Sequence, residues 1–135
     1  AGAGPVAGRS SPEDADEGRR IWLRVAQSAG RYLPDIKGLL ETVEARMPLF
    51  DLCLYNAGMD PYEGCSTGGF PGITYEILAA RELLVFDWCR LHAKATAFVL
   101  AGGYIGWDLT AVGLVDLHRL TLSAAAGPRE DQASP

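Results

Sequence analysis

The sequence predicts an α/β fold in which a partial parallel sheet is flanked by helices, and three observations carry that expectation. Two short apolar runs, Asp51 to Pro61 and Phe98 to Tyr104, each read as a strand that ends in small residues and then presents one polar side chain, Asp60 or Tyr104. A helical segment of about twenty residues lies between them, which is the spacing of a parallel strand–helix–strand unit. The first run is nearly all apolar after Asp51, as expected of a parallel strand covered on both faces.

The elements follow in chain order. Residues 1–20 are rich in Ala, Gly, Pro, Ser and acidic residues without apolar periodicity, a composition expected to remain disordered. Arg20 to Ala29 places Ile21, Trp22, Val25 and Ala29 on one side of a short helix. A second helix is expected from Pro34 to Arg46, with Pro34 in its first turn, Asp35 favourable near the positive end, and Pro48 as the stop. Its apolar positions are Ile36, Leu39, Leu40, Val43 and Met47, and Lys37, Glu41 and Glu44 face outward.

The first strand is expected over Leu49 to Ala57, followed by a long Gly- and Pro-rich loop from Gly58 to Ile73. Loops of that length in compact domains are functional or disordered. Thr74 is suited to cap a helix from Tyr75 to His92, with Glu76 in its first turn. Ile77, Ala80, Leu84, Trp88 and Leu91 form its main apolar stripe, widened by Val85 and Phe86. The second strand is Thr96 to Ala101, and a last helix runs from Trp107 to Ala126 with Asp108 as its cap and Leu109, Val112, Leu117 and Leu120 buried. Gly127-Pro128 ends it, leaving residues 127–135 as a disordered tail. About a hundred residues can pack, enough for one modest core.

Composition removes several classes of function. The net charge is −5 with no cluster of Lys or Arg, which excludes a phosphate-binding surface for nucleic acid. No apolar run reaches the ~18 residues of a membrane span, and no signal peptide is visible. Three widely spaced cysteines, Cys53, Cys65 and Cys89, without a Cys-x-x-Cys pair, suggest reduced thiols in a cytoplasmic protein. Cys53 and Cys89 read as structural, and Cys65, next to Gly64 in the long loop, as the most exposed thiol. His92 and His118, the only two histidines, fall on helices where capping and packing roles dominate.

In parallel sheets the loops after the strands' carboxyl ends gather on one edge and bind ligands. Asp60 and Tyr104 are therefore expected to face one pocket. Singly, Asp60-Pro61 also fits a turn opener, and Gly102-Gly103 a strand-to-helix turn with positive φ. The strand end Tyr55-Asn56-Ala57-Gly58 is similar to that of short-chain dehydrogenases, which would make the chain an NAD-binding fragment. Those enzymes also need a Gly-x-Gly-x-x-Gly turn and a Lys four residues after the Tyr, whereas here Asp108 follows Tyr104 at that spacing.

From Tyr32 to about Ala126 the chain resembles the carboxyl-terminal part of the histone deacetylase and acetylpolyamine amidohydrolase family, in its bacterial deacetylase-like form. The runs that carry the resemblance are Ala57-Gly58-Met59-Asp60-Pro61, Glu63-Gly64 with Gly68-Gly69, the Thr74 helix start, and Leu100-Ala101-Gly102-Gly103-Tyr104. It implies that residues 21–126 are the carboxyl-terminal portion of an arginase/deacetylase-like domain. It further implies zinc-dependent hydrolysis of an acyl amide on a lysine or polyamine nitrogen, with Asp60 as a zinc ligand and Tyr104 as the hydrogen-bond donor to the scissile carbonyl. Gly58, Pro61, Gly64, Cys65, Gly68, Gly69, Gly102 and Gly103 would then shape the substrate pocket.

The departures from the family pattern bear on activity. The sequence contains neither the Asp-x-His that supplies the family's other zinc ligands nor the His-His pair that moves its protons, and Cys65 stands where many relatives carry an acidic residue. One carboxylate does not hold a catalytic zinc, which takes three protein ligands, so the isolated chain is expected to be inactive and not to bind zinc stably. Two parallel strands also leave both edges in need of partners. The alternative is therefore a non-catalytic remnant that self-associates through its sheet edges or a helix.

Overall fold

The computed structural model describes residues 21–127. The disorder expected over residues 1–20, and the tail beyond Gly127, lie outside the described residues. The element order is α1 (Ala29–Arg46), β1 (Cys53–Gly58), α2 (Tyr75–His92), β2 (Thr96–Ala101) and α3 (Ala111–Ala126), a mixed α/β arrangement. The two strands pair in parallel, with Cys53 opposite Thr96 and Gly58 opposite Ala101. α2 packs against both α1 and α3.

The helix and strand around the crossover form where the sequence places them. The Thr74 side chain accepts from the Ile77 N–H at the start of α2, and its hydrogen bond to Glu76 holds that carboxyl below the usual range. Four other boundaries move. Residues 21–26 form no helix. Instead α1 begins at Ala29 and runs through Pro34, its first turns held by a local i,i+4 pair, Arg31 to Asp35 at 2.7 Å, and by a tertiary contact in which the Tyr32 hydroxyl accepts from Arg81 at 3.1 Å.

β1 starts at Cys53 rather than Leu49. Phe50 makes an isolated parallel bridge to Ala93, and the chain bends at Asp51 before the ladder proper. α3 is capped by Thr110, whose hydroxyl accepts from Gly113 N at 3.1 Å, and not by Asp108. A preceding turn, closed by Gly106 N–H donating to the Leu109 carbonyl, buries Leu109 ahead of the helix and leaves Trp107 and Val112 exposed.

The buried face of α2 is Leu78, Arg81, Glu82, Phe86 and Cys89, rotated from the expected stripe so that Leu91 is exposed. Phe86 sits edge-on to Tyr55 and Phe98, which seats α2 on the strands. The opposite face of the sheet is bare: Leu54 and Val99 are 75% and 60% exposed, with Asn56 and Ala97 exposed beside them. The main apolar cluster is Met59, Cys65, Ile73, Leu78, Leu109 and Leu117. Four of those six come from the segments that follow the strands, so the core lies at the strands' carboxyl end. Burying each large side chain there is worth ~1.5–3 kcal/mol. The long loop is thus an ordered part of the core.

Candidate functional site: the rim at the carboxyl ends of the strands

Because the strands run in the same direction, the segments following Gly58 and Ala101 emerge side by side. The ladder extends one step further, with Met59 N–H donating to the Ala101 carbonyl at 3.1 Å. The Asp60 side chain reaches across to the second segment. Its Oδ1 accepts from Gly103 N–H at a long 3.4 Å, and its carboxylate lies over the Cα of Gly102. A side chain at Gly102 would overlap that carboxylate, with Asp60 Cγ only 2.5 Å from the position of a Cβ. Gly102 also has φ +60 and Gly103 φ +83, so both glycines are required by backbone conformation and one of them by the acid above it.

The loop from Gly58 to Ile73 folds onto the second segment. Ser66 N–H donates to the Tyr104 carbonyl at 3.1 Å, and its hydroxyl to the Ile105 carbonyl at 3.0 Å. Pro61 and Tyr62 supply carbonyls to Phe70 N–H and Cys65 N–H, and Gly69 is enclosed by the carbonyls of Cys65, Glu63 and Tyr62. A Cβ at Gly64 would strike the Tyr62 ring and the Asp108 carbonyl, and Gly68 has φ +88. Gly58 lies beneath the Asp60 carboxylate. The expected site residues thus belong to one structured rim. Tyr104 projects from it 52% exposed, with Ile105 and Trp107 exposed on the same segment and Phe70 on the loop.

Cys65 is a correction to the sequence reading. It is buried rather than the most exposed thiol, because the loop turns inward and its Sγ–H donates to the Met59 carbonyl at 3.3 Å. Among the three cysteines, Cys53 is the half-buried one.

Beneath the rim lies a polar network that sequence reasoning missed. Arg81 is buried and Glu82 is 0% exposed. The Arg81 guanidinium donates to Glu82 Oε1 from Nε at 2.7 Å and from Nη2 at 2.5 Å. It also donates to the Gly58 carbonyl at 2.8 Å and the Tyr32 hydroxyl at 3.1 Å. Tyr55 Oη–H donates to the same Glu82 oxygen at 2.9 Å. Burial pushes the Tyr55 phenol well above its ordinary range, and Glu82 adds to that against the opposing charge of Arg81. Burial alone would lower the Arg81 pKa, and the surrounding Tyr32, Tyr55 and Glu82 outweigh it. The guanidinium therefore clamps the last residue of β1, two positions before Asp60. The available signal was a Tyr within the first strand and an Arg-Glu pair inside the apolar stretch from Ile77 to Phe86 of α2.

Neither histidine belongs to the rim. His92 lies at the end of α2, at the amino ends of the strands, where it bonds the Pro48 carbonyl at 2.9 Å and stacks on Trp88. His118 is within α3, its Nδ1 buried without a partner. Among the described residues no group of three or more His, Cys, Asp or Glu is arranged to hold a metal ion. A lone carboxylate already packed against a glycine turn is not the donor set of a catalytic zinc. Among the described residues, no helix is long and apolar enough to cross a membrane. No family model, no curated protein and no solved structure matches the chain.

Proposed function

We propose that this chain is the carboxyl-terminal part of an arginase/deacetylase-like domain, carrying a partial site for acyl-amide hydrolysis, and that it is inactive by itself. The single observation that carries this reading is the placement of Asp60 over Gly102-Gly103, directly before the exposed Tyr104, on one rim of a parallel strand pair. A carboxylate there offers one hard oxygen ligand to a metal. A phenol there offers one hydrogen bond to the oxygen of an acyl amide on a lysine or polyamine nitrogen, the type of contact that stabilises a developing oxyanion. The residues present do not complete a zinc site, so the remaining ligands and the proton-transfer histidines would have to come from elsewhere. Three free thiols support a reducing, cytoplasmic setting.

The coding sequence immediately upstream of Ala1 tests this directly. An in-frame His-His and Asp-x-His are expected there. An open frame reaching a start codon without either contradicts the reading.

A second reading is favoured by the bare sheet face. Parallel sheets are normally covered on both sides, and here Leu54 and Val99 are exposed. In this reading the chain acts by association through that face or its open edges. Sedimentation velocity across a concentration series separates the two: a monomer at all concentrations contradicts association.

A further inference from the structure

We propose that Cys53 and Cys89 form a peroxide-sensitive dithiol that closes to an intramolecular disulfide, stapling the carboxyl-terminal turn of α2 to the start of β1. The Cys89 thiol points at Cys53, with the two Sγ atoms 3.4 Å apart across 36 positions of sequence. A disulfide needs ~2.05 Å, so two sulfurs already in contact have roughly 1.4 Å left to close. Cys53 is half-buried and Cys89 buried, so the oxidant meets Cys53 first. Burial and the neighbouring Cys53 push the Cys89 thiol up to about 12, so Cys89 is not the sulfur that peroxide oxidises first. The pair lies at the amino end of β1, opposite the end that carries Asp60, and its chemistry is independent of the rim.

The step balances with hydrogen peroxide as the oxidant. Cys53 first gives its proton to solvent; the thiolate attacks one peroxide oxygen, the O–O bond breaks, and the departing hydroxide takes a proton back from solvent as water, leaving a sulfenic acid on Cys53. Cys89 Sγ then attacks the Cys53 sulfur, the S–O bond breaks, and the departing hydroxide takes the Cys89 proton as a second water. Two thiols lose two electrons, and one peroxide gains them. The cross-link encloses the rest of β1, the loop and most of α2, which restricts the unfolded chain and raises the melting temperature.

The test treats the full chain with hydrogen peroxide, alkylates it in denaturant and maps its peptides without reduction. A Cys53–Cys89 linked peptide with only Cys65 alkylated is expected, together with a rise in Tm on the order of 10 °C, both reversed by dithiothreitol. Cys53→Ser, a change at a half-buried position, should abolish the link and the Tm rise while leaving Cys65 and Cys89 alkylatable. Full alkylation of both Cys53 and Cys89 after peroxide, a link that involves Cys65, or Cys53 ending as sulfinic acid without a link would each overturn the proposal.

Discussion

The two faces of the small sheet are built differently. The face under α2 buries an ion pair, two tyrosine hydroxyls and three aromatic rings, all leading up to the Gly58 carbonyl and the rim beyond it. The other face presents Leu54, Asn56, Ala97 and Val99 to solvent, with no charge to discourage pairing. Buried polar groups are costly unless partnered. Here Glu82 Oε1 takes hydrogen bonds from both Tyr55 and Arg81 while its Oε2 has none among the described residues, so the network holds Arg81 and Tyr55 on one oxygen below the rim. Among the described residues no element covers the other face.

Substitutions that separate the two faces test this contrast, and the largest effect belongs to Arg81. Arg81→Leu leaves Glu82 charged and buried, and an uncompensated buried charge costs about 3–5 kcal/mol. A urea titration should show that loss, and combining Arg81→Leu with Glu82→Leu should recover much of it. A loss below ~1 kcal/mol for the single change would place the rim's support elsewhere.

Gly102→Ala comes next. Its Cβ meets the Asp60 carboxylate and its φ is unfavourable for an L residue, a combination worth roughly 2–3 kcal/mol. In an Asp60→Gly background only the backbone strain remains, ~1–2 kcal/mol. An equal cost in both backgrounds would mean that Asp60 does not sit over this turn.

Much of this was legible in the residues. Thr74, the apolar run after it, and the small residues closing each strand locate α2, β2 and the shared rim. Helix faces were not legible where apolar residues occupy most of the surface, as on α2. There the buried stripe is decided by what Tyr55 and Gly58 offer to Arg81 and Glu82, contacts that join residues far apart in sequence. The start of α1 was hidden for a related reason: Pro34 fits a first turn, and only the Arg81–Tyr32 bond shows that the helix begins earlier. Asp108 fits a cap by composition, and the burial of Leu109 ahead of the helix moves the cap to Thr110.

Alkaline pH probes the packed face as well. The folded state holds the Cys89 thiol at about 12 against an ordinary 9.0, so it binds more protons than the unfolded chain in that window. The stability from this group is complete below pH 9 and is lost as pH rises toward 12. The raised Tyr55 phenol continues the loss above pH 10. The urea midpoint should fall across this range, and Cys89→Ala should remove the part that begins near pH 9. The smallest effect is expected on the open face: Leu54→Lys should change monomer stability by no more than about 0.5 kcal/mol.

Titration of the chain with zinc in a calorimeter tests most directly whether this rim is a partial site. Heat no greater than dilution at micromolar protein is predicted, unchanged by Asp60→Ala. Saturable 1:1 binding in the micromolar range or tighter, abolished by Asp60→Ala, would contradict the account.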